Sequence, residues 1–248
     1  MTSPTADLDA LLRTDVRNPI PLSALLPHLS APPFIPSRSL INARDVGADP
    51  DAVAWIGANV KRIFDLRKPL ERGHAPDPVI PGVENYPTPS LDDFANGDGS
   101  EAWKQQYLSV AITYAPTYRA VLEHIRDTPK EPFLFHCTAG RDRTGVLAGL
   151  LHHLAGTAPD DSVRDYMLSR IGTEPARDKL LQFAMFSVGI TDPATPGFYN
   201  LVDLRPEYWA AFLEGLNDKF GGWDGYVTGE LGLSAEDLEI IKKNIREA

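Results

Sequence analysis

The 248 residues contain one cysteine, Cys137, so no intrachain disulfide can form and nothing calls for an oxidising compartment. No apolar run approaches the roughly 20 residues of a membrane span, and Met1 to Asp15 lacks the basic start and apolar core of a signal peptide. Basic residues are in deficit: 24 Lys and Arg stand against 34 Asp and Glu, a formal net charge of −10. That balance excludes a general nucleic-acid binder, whose backbone affinity comes from clustered Lys and Arg. Any anionic ligand must therefore be captured by a local basic site. The six histidines are scattered, and His152 and His153, adjacent on a predicted helix, point apart, so metal-ligand spacing is missing. The expectation is a soluble, cytoplasmic, globular chain with 43% apolar residues to build a core, no stable membrane insertion, no metal and no cofactor.

Proline is unevenly spread. Of 22 prolines, 14 fall within residues 1–90, and residues 1–32 read as a Pro-rich N-terminal arm laid over a single domain at 33–248. Val60 to Leu66 reads as a buried strand after a helical stretch at Asp51 to Asn59, with a weaker strand at Val83 to Tyr86 and a stronger one at Pro132 to His136. Glu101 to Arg126 has helical spacing that Pro116 should kink or split. Beyond Thr144 the pattern is helical. Val146, Leu147, Leu150, Leu151 and Leu154 line one face and Gly156 closes it. Further helices are predicted at Asp161 to Arg170, Thr173 to Phe186 and Pro206 to Phe220, and after a capping-box-like Ser234/Asp237 pair. Strands alternating with helices and then helices alone predict an α/β fold: a central, mostly parallel sheet of about four strands flanked by helices, with a helical C-terminal extension.

The chemistry is concentrated in Phe133-Leu134-Phe135-His136-Cys137-Thr138-Ala139-Gly140-Arg141-Asp142-Arg143-Thr144-Gly145, a strand, a short loop and a helix N-terminus. Unpaired amides and the positive end of the helix dipole make such a junction an anion cradle. The same field, with Arg143 nearby, favours a thiolate at Cys137. Arg143, six residues on, can return over the cradle and offer a planar fork to two phosphoryl oxygens. A thiolate, an arginine and an amide nest together form a phosphate-hydrolysing constellation. Taken alone, a single buried cysteine would instead be read as an inert small hydrophobe.

This segment resembles the phosphate-binding loop of the Cys-x5-Arg protein tyrosine phosphatase superfamily. It is most similar to the atypical branch of protein tyrosine phosphatase B and the lipid phosphatase A proteins. Asn42-Ala43-Arg44-Asp45-Val46-Gly47, Asp65-Leu66-Arg67, Asp165-Tyr166-Met167-Leu168-Ser169, Arg205-Pro206-Glu207-Tyr208 and Leu231-Gly232-Leu233-Ser234 are similar to further segments of that branch, although Ala43 replaces its usual aromatic. The resemblance implies a phosphotyrosine phosphatase-like fold and metal-independent hydrolysis of phosphotyrosine, with phosphoserine and phosphothreonine as further substrates in a dual-specificity enzyme. It also implies a phosphocysteine intermediate on Cys137, with Arg143 binding the equatorial oxygens. Thr144 would stabilise the sulfur as leaving group or serve only as a helix-start hydroxyl, His136 would order the loop, and about 172–203 would form a helical lid, the apolar residues of 180–199 being explained also by a packed core helix.

The general acid is open between two residues. Asp142 corresponds to the acid of the resembling branch, but Arg141 and Arg143 beside it favour its carboxylate form. Asp65, at the carboxyl end of a predicted parallel strand, is the runner-up; Asp92 and Asp93 are outside candidates. Arg141, Arg67 and Arg44 are candidate substrate-binding residues, together with Lys61, Arg62, Lys68 and Arg72 as added positive field or simply a solvated strand flank. A second arginine in the loop makes a phosphoinositide phosphatase the first alternative to a phosphoprotein phosphatase. A pseudophosphatase that only binds phosphorylated partners is the second, disfavoured by the intact Cys137 and Arg143.

Overall fold

The computed structural model describes residues 10–13, 15, 17, 62–65 and 91–247. Its elements run β1 (Arg62–Asp65), α1 (Leu91–Phe94), α2 (Ser100–Thr113), α3 (Ala115–Asp127), β2 (Phe133–His136), α4 (Asp142–Ala155), α5 (Pro159–Gly172), α6 (Arg177–Val188), α7 (Phe198–Val202), α8 (Pro206–Phe220), α9 (Gly222–Gly225) and α10 (Ala235–Arg246). A single 3₁₀ turn (Glu174–Ala176) precedes α6, and a π turn (Tyr226–Glu230) follows α9.

The expected α/β architecture around a four-strand sheet is overturned. Among the described residues helices predominate, and extended structure is confined to β1 and β2, four residues each, paired in parallel from Arg62↔Phe133 to Asp65↔His136. The reason lies in where the large side chains go. Trp103 and Tyr107 of α2 pack against Tyr208, Trp209 and Phe212 of α8, with Trp223 and Tyr226 completing the aromatic core. Rings of 150–250 Å² bury more surface per residue at a helix–helix contact than a short strand offers, so the hydrophobic interior is helical. Most of the predicted arm, the 51–59 helix and the 83–86 strand lie outside the described residues, as do Arg44 and Arg67; of the arm, Leu12 is described and packs into the core.

Local signals account for several helix ends. Pro116 sits in the first turn of α3, where its missing N–H costs nothing, and α2 and α3 are separate helices meeting at Tyr114. Gly156 closes α4 at φ 81°. Ser234 and Asp237 form a true capping box. Thr173 behaves differently from expectation. Its hydroxyl donates back to the Ser169 carbonyl at 2.7 Å, ending α5 rather than starting the next helix, which begins at Arg177. None of the residues of α6 is buried, and Phe186 is 78% exposed, whereas Phe198 is fully buried. No described helix is long and apolar enough to cross a membrane.

The helix that carries the loop is held by close contact. Gly149 of α4 lies so near the Trp209 indole that an added Cβ would sit 2.4 Å from a ring carbon. Gly149→Ala is therefore expected to destabilise the protein by about 1–3 kcal/mol through overpacking, despite alanine's better helix propensity. An unchanged denaturation midpoint would show that α4 and α8 do not pack this tightly.

Candidate active site

Leu134 and Phe135 anchor β2 in the core, and the chain passes through His136 to Cys137, which is 2% exposed. Gly140 turns the loop at φ 66°, a left-handed conformation that a side chain resists. Helix α4 then begins at Asp142 without a side-chain cap, its first backbone bond running from the Gly145 amide to the Arg141 carbonyl at 2.8 Å. The opening turn thus keeps amides free of capping groups, as an anion cradle requires. Arg143 reaches back across the loop to the Thr138 hydroxyl, at 3.4 Å. The His136 ring contacts the Cys137 carbonyl, also at 3.4 Å. The Thr144 hydroxyl is completely buried and makes no hydrogen bond to a protein group.

Three tyrosines that sequence reasoning treated as helix or motif residues hold this loop. Tyr118 of α3 donates to the Arg143 carbonyl at 2.7 Å. Burial pushes its hydroxyl well above the ordinary phenol range, with Tyr226 and Cys137 acting in the same direction and Arg143 opposing. Tyr107 of α2 donates to Asp142 Oδ1 at 3.0 Å and meets the Tyr166 hydroxyl of α5 at 2.7 Å. A buried tyrosine needs a partner for its hydroxyl. Tyr residues on faces that would otherwise take Phe or Leu were the available signal.

Arg141 and Asp142 also have defined partners. Arg141 Nε donates to Asp142 Oδ1 at 2.8 Å, and its terminal nitrogens donate to the carbonyls of Val202 (2.6 Å) and Leu201 (3.2 Å) at the end of α7. The guanidinium lies over the Trp103 ring, 5.1 Å from its centroid, a cation–π geometry. Burial works against its charge, but the Asp142 carboxylate and the neighbouring tyrosines outweigh burial and raise its affinity for the proton. Three of its five N–H donors are spent inside the protein rather than offered to a ligand.

Asp65 pairs with His136 in the β ladder, which puts its backbone one residue from the cysteine; its side chain lies outside the described residues. Asp92 and Asp93 are exposed on α1.

The tyrosine phosphatase family model matches residues 45–247, nearly all of the chain beyond the N-terminal region and including the whole loop. The chain belongs to the tyrosine phosphatase family. It is 29% identical over 227 residues to a tyrosine-protein phosphatase of Nostoc commune, covering 86% of this chain and 76% of that protein. It is also 32% identical over 106 residues to a protein of Cupriavidus necator named as a candidate tyrosine-protein phosphatase, covering 42% of this chain and 37% of that one. In this family member the loop is tied to the helical body through Tyr118 at one point and through Arg141 at another.

Those ties should differ in strength. Tyr118→Phe removes one neutral hydrogen bond and is expected to cost about 1 kcal/mol. Arg141→Met keeps an aliphatic stem against Trp103 but removes three charge-assisted bonds, and is expected to cost about 2–3 kcal/mol. Chemical denaturation measures both, and equal costs, or none for Arg141→Met, would contradict the assignment.

Proposed function

We propose that this chain hydrolyses phosphotyrosine through a covalent phosphocysteine on Cys137. The observation that carries the reading is the junction itself: a buried cysteine between β2 and α4, a glycine turn, and Arg143 folded back over the loop. The phosphoryl group would sit among the loop amides, with the Arg143 fork on two of its equatorial oxygens. The Cys137 thiolate attacks phosphorus, and the bond to the phenolic oxygen breaks. Asp142 gives that oxygen its proton. A water, deprotonated by the same carboxylate, then attacks phosphorus; the P–S bond breaks and inorganic phosphate leaves as the thiolate is regenerated. The buried Thr144 hydroxyl, free of other partners, is suited to donate to the departing sulfur. Nucleophile, charge stabilisation and proton transfer all come from side chains and amides, so the reaction is expected to proceed in EDTA.

Asp142 is preferred to Asp65 as the acid because it stands in the loop, with its second oxygen, Oδ2, unbonded among the described residues. The internal commitments of Arg141 weaken the case for a phosphoinositide head group and favour a phosphoprotein substrate, phosphoserine and phosphothreonine included. A site that merely binds phosphorylated partners has no support in the loop, which retains both reactive side chains.

A panel of phosphotyrosine, phosphoserine and phosphothreonine peptides and phosphoinositides, assayed in EDTA, tests the reading. Phosphate release from phosphotyrosine is expected to vanish in Cys137→Ser and to fall on the order of 10²-fold or more in Arg143→Lys, which cannot present a planar fork. Activity surviving Cys137→Ser would sink the mechanism, and preferential turnover of phosphoinositides would replace the substrate. Because a general acid must be protonated to act, the fall in rate with rising pH should disappear in Asp142→Ala, with substrate affinity kept. An unchanged profile would transfer the role to Asp65.

A further inference from the structure

We infer that Tyr107, backed by Tyr166, is a positioning residue that, together with Arg141, confines the acidic proton of Asp142 to Oδ2. The inference rests on the proposed role of Asp142 and explains how that role is made geometrically specific.

A protonated carboxyl group is useful as an acid only if its proton lies on the oxygen that faces the leaving group, and a freely rotating carboxyl has two equivalent choices. Here the oxygens are not equivalent. Oδ1 accepts from the Tyr107 hydroxyl at 3.0 Å and from Arg141 Nε at 2.8 Å, while Oδ2 takes no bond from any described residue. With both donors aimed at Oδ1, a proton on that oxygen would meet two others head-on, so protonation is directed to Oδ2.

The donors are themselves fixed. A carboxylate or carbonyl-like oxygen can only accept, so Tyr107 donates its single proton to Asp142, and the Tyr166 hydroxyl at 2.7 Å must then donate to Tyr107. The result is a directed chain, Tyr166 to Tyr107 to Asp142, drawn from α5, α2 and the start of α4. Tyr107 is fully buried, and its ring is wedged against Trp103, Tyr166, Trp209 and Phe212, so the hydroxyl has no freedom to turn away. Burial, with Tyr166 and Asp142 acting in the same direction, pushes the Tyr107 hydroxyl well above the ordinary phenol range, and burial raises Tyr166 too. Both stay protonated wherever the enzyme would work. Among the described residues, the charged and titratable groups around the carboxyl are thus Arg141 and Arg143 beside it, Tyr107 from α2 and Tyr166 from α5, with Tyr208 of α8 acting on Tyr166. Of these, Tyr107 and Arg141 bond to the carboxyl itself.

The test compares two aryl phosphates that differ in their need for an acid. Dinitrophenolate leaves without a proton, whereas phenolate requires one. The readout is kcat/KM for dinitrophenyl phosphate divided by kcat/KM for phenyl phosphate. Asp142→Asn is expected to raise this ratio on the order of 10²-fold, the lower end of what general acid catalysis supplies. Tyr107→Phe, which keeps the ring and deletes the donor, should raise it about tenfold as a fraction of that effect, and Tyr166→Phe by less. Tyr118→Phe serves as the control: it removes a hydroxyl bonded to the same loop but not to Asp142, and should leave the ratio unchanged whatever it does to overall rate. Should Tyr107→Phe fail to fold, Tyr166→Phe carries the same ratio measurement. A raised ratio in Asp142→Asn with no change in either tyrosine variant would overturn the positioning role and leave the proposed function intact. No change in Asp142→Asn itself would overturn both the acid assignment and the inference, while a dead Cys137→Ser would still support the nucleophile.

Discussion

A loop that uses its own amides to hold an anion cannot also use them to hold itself together, so it must be secured from outside. That constraint organises the described part of this molecule. The segment from Cys137 to Arg143 is secured by contacts with elements far away in sequence: a tyrosine of α3 on the Arg143 carbonyl, a tyrosine of α2 on the Asp142 carboxylate, and backbone carbonyls at the end of α7 receiving the Arg141 side chain. Each contact uses a polar tip carried on a ring or stem whose remainder is buried in the aromatic core.

The helical body makes these contacts rigid. Helices α2 and α8 meet through Trp103, Tyr107, Tyr208, Trp209 and Phe212, and α4 approaches α8 closely at Gly149. The Trp103 indole donates to the Asn200 carbonyl at 2.9 Å, and the Asn200 side chain donates to the Phe94 carbonyl at 2.8 Å. The short α7 that receives Arg141 is thus itself fixed to α1 and α2. Arg141, a candidate anion ligand from its place in the loop, connects the loop to this helical frame through two of its donors.

The loop was legible because its chemistry is local. Cysteine, glycine and arginine at fixed spacing, between an apolar strand and an apolar helix, define a turn and a charge distribution without reference to the rest of the chain. Helix limits set by Pro116, Gly156 and Ser234 were legible for the same reason. The sheet expectation failed because alternating strand-like and helix-like runs say nothing about which elements dominate burial, and the large aromatics of α2 and α8 decide that. Tyr107 and Tyr118 were missed because their partners lie 35 and 25 residues away; a hydroxyl on a buried helical face announces that it needs an acceptor, not which one. Thr173 illustrates the opposite failure, a capping residue whose hydroxyl turned back to the preceding helix.

The proposed mechanism turns on a covalent bond between phosphorus and the sulfur of Cys137, and that bond can be sought directly. Acid quenching of the enzyme during turnover of an aryl phosphate, followed by peptide mass spectrometry, is expected to find a phosphoryl group on the peptide carrying Cys137, and none in Cys137→Ser. A phosphoryl group on another residue, or steady turnover by Cys137→Ser, would contradict it.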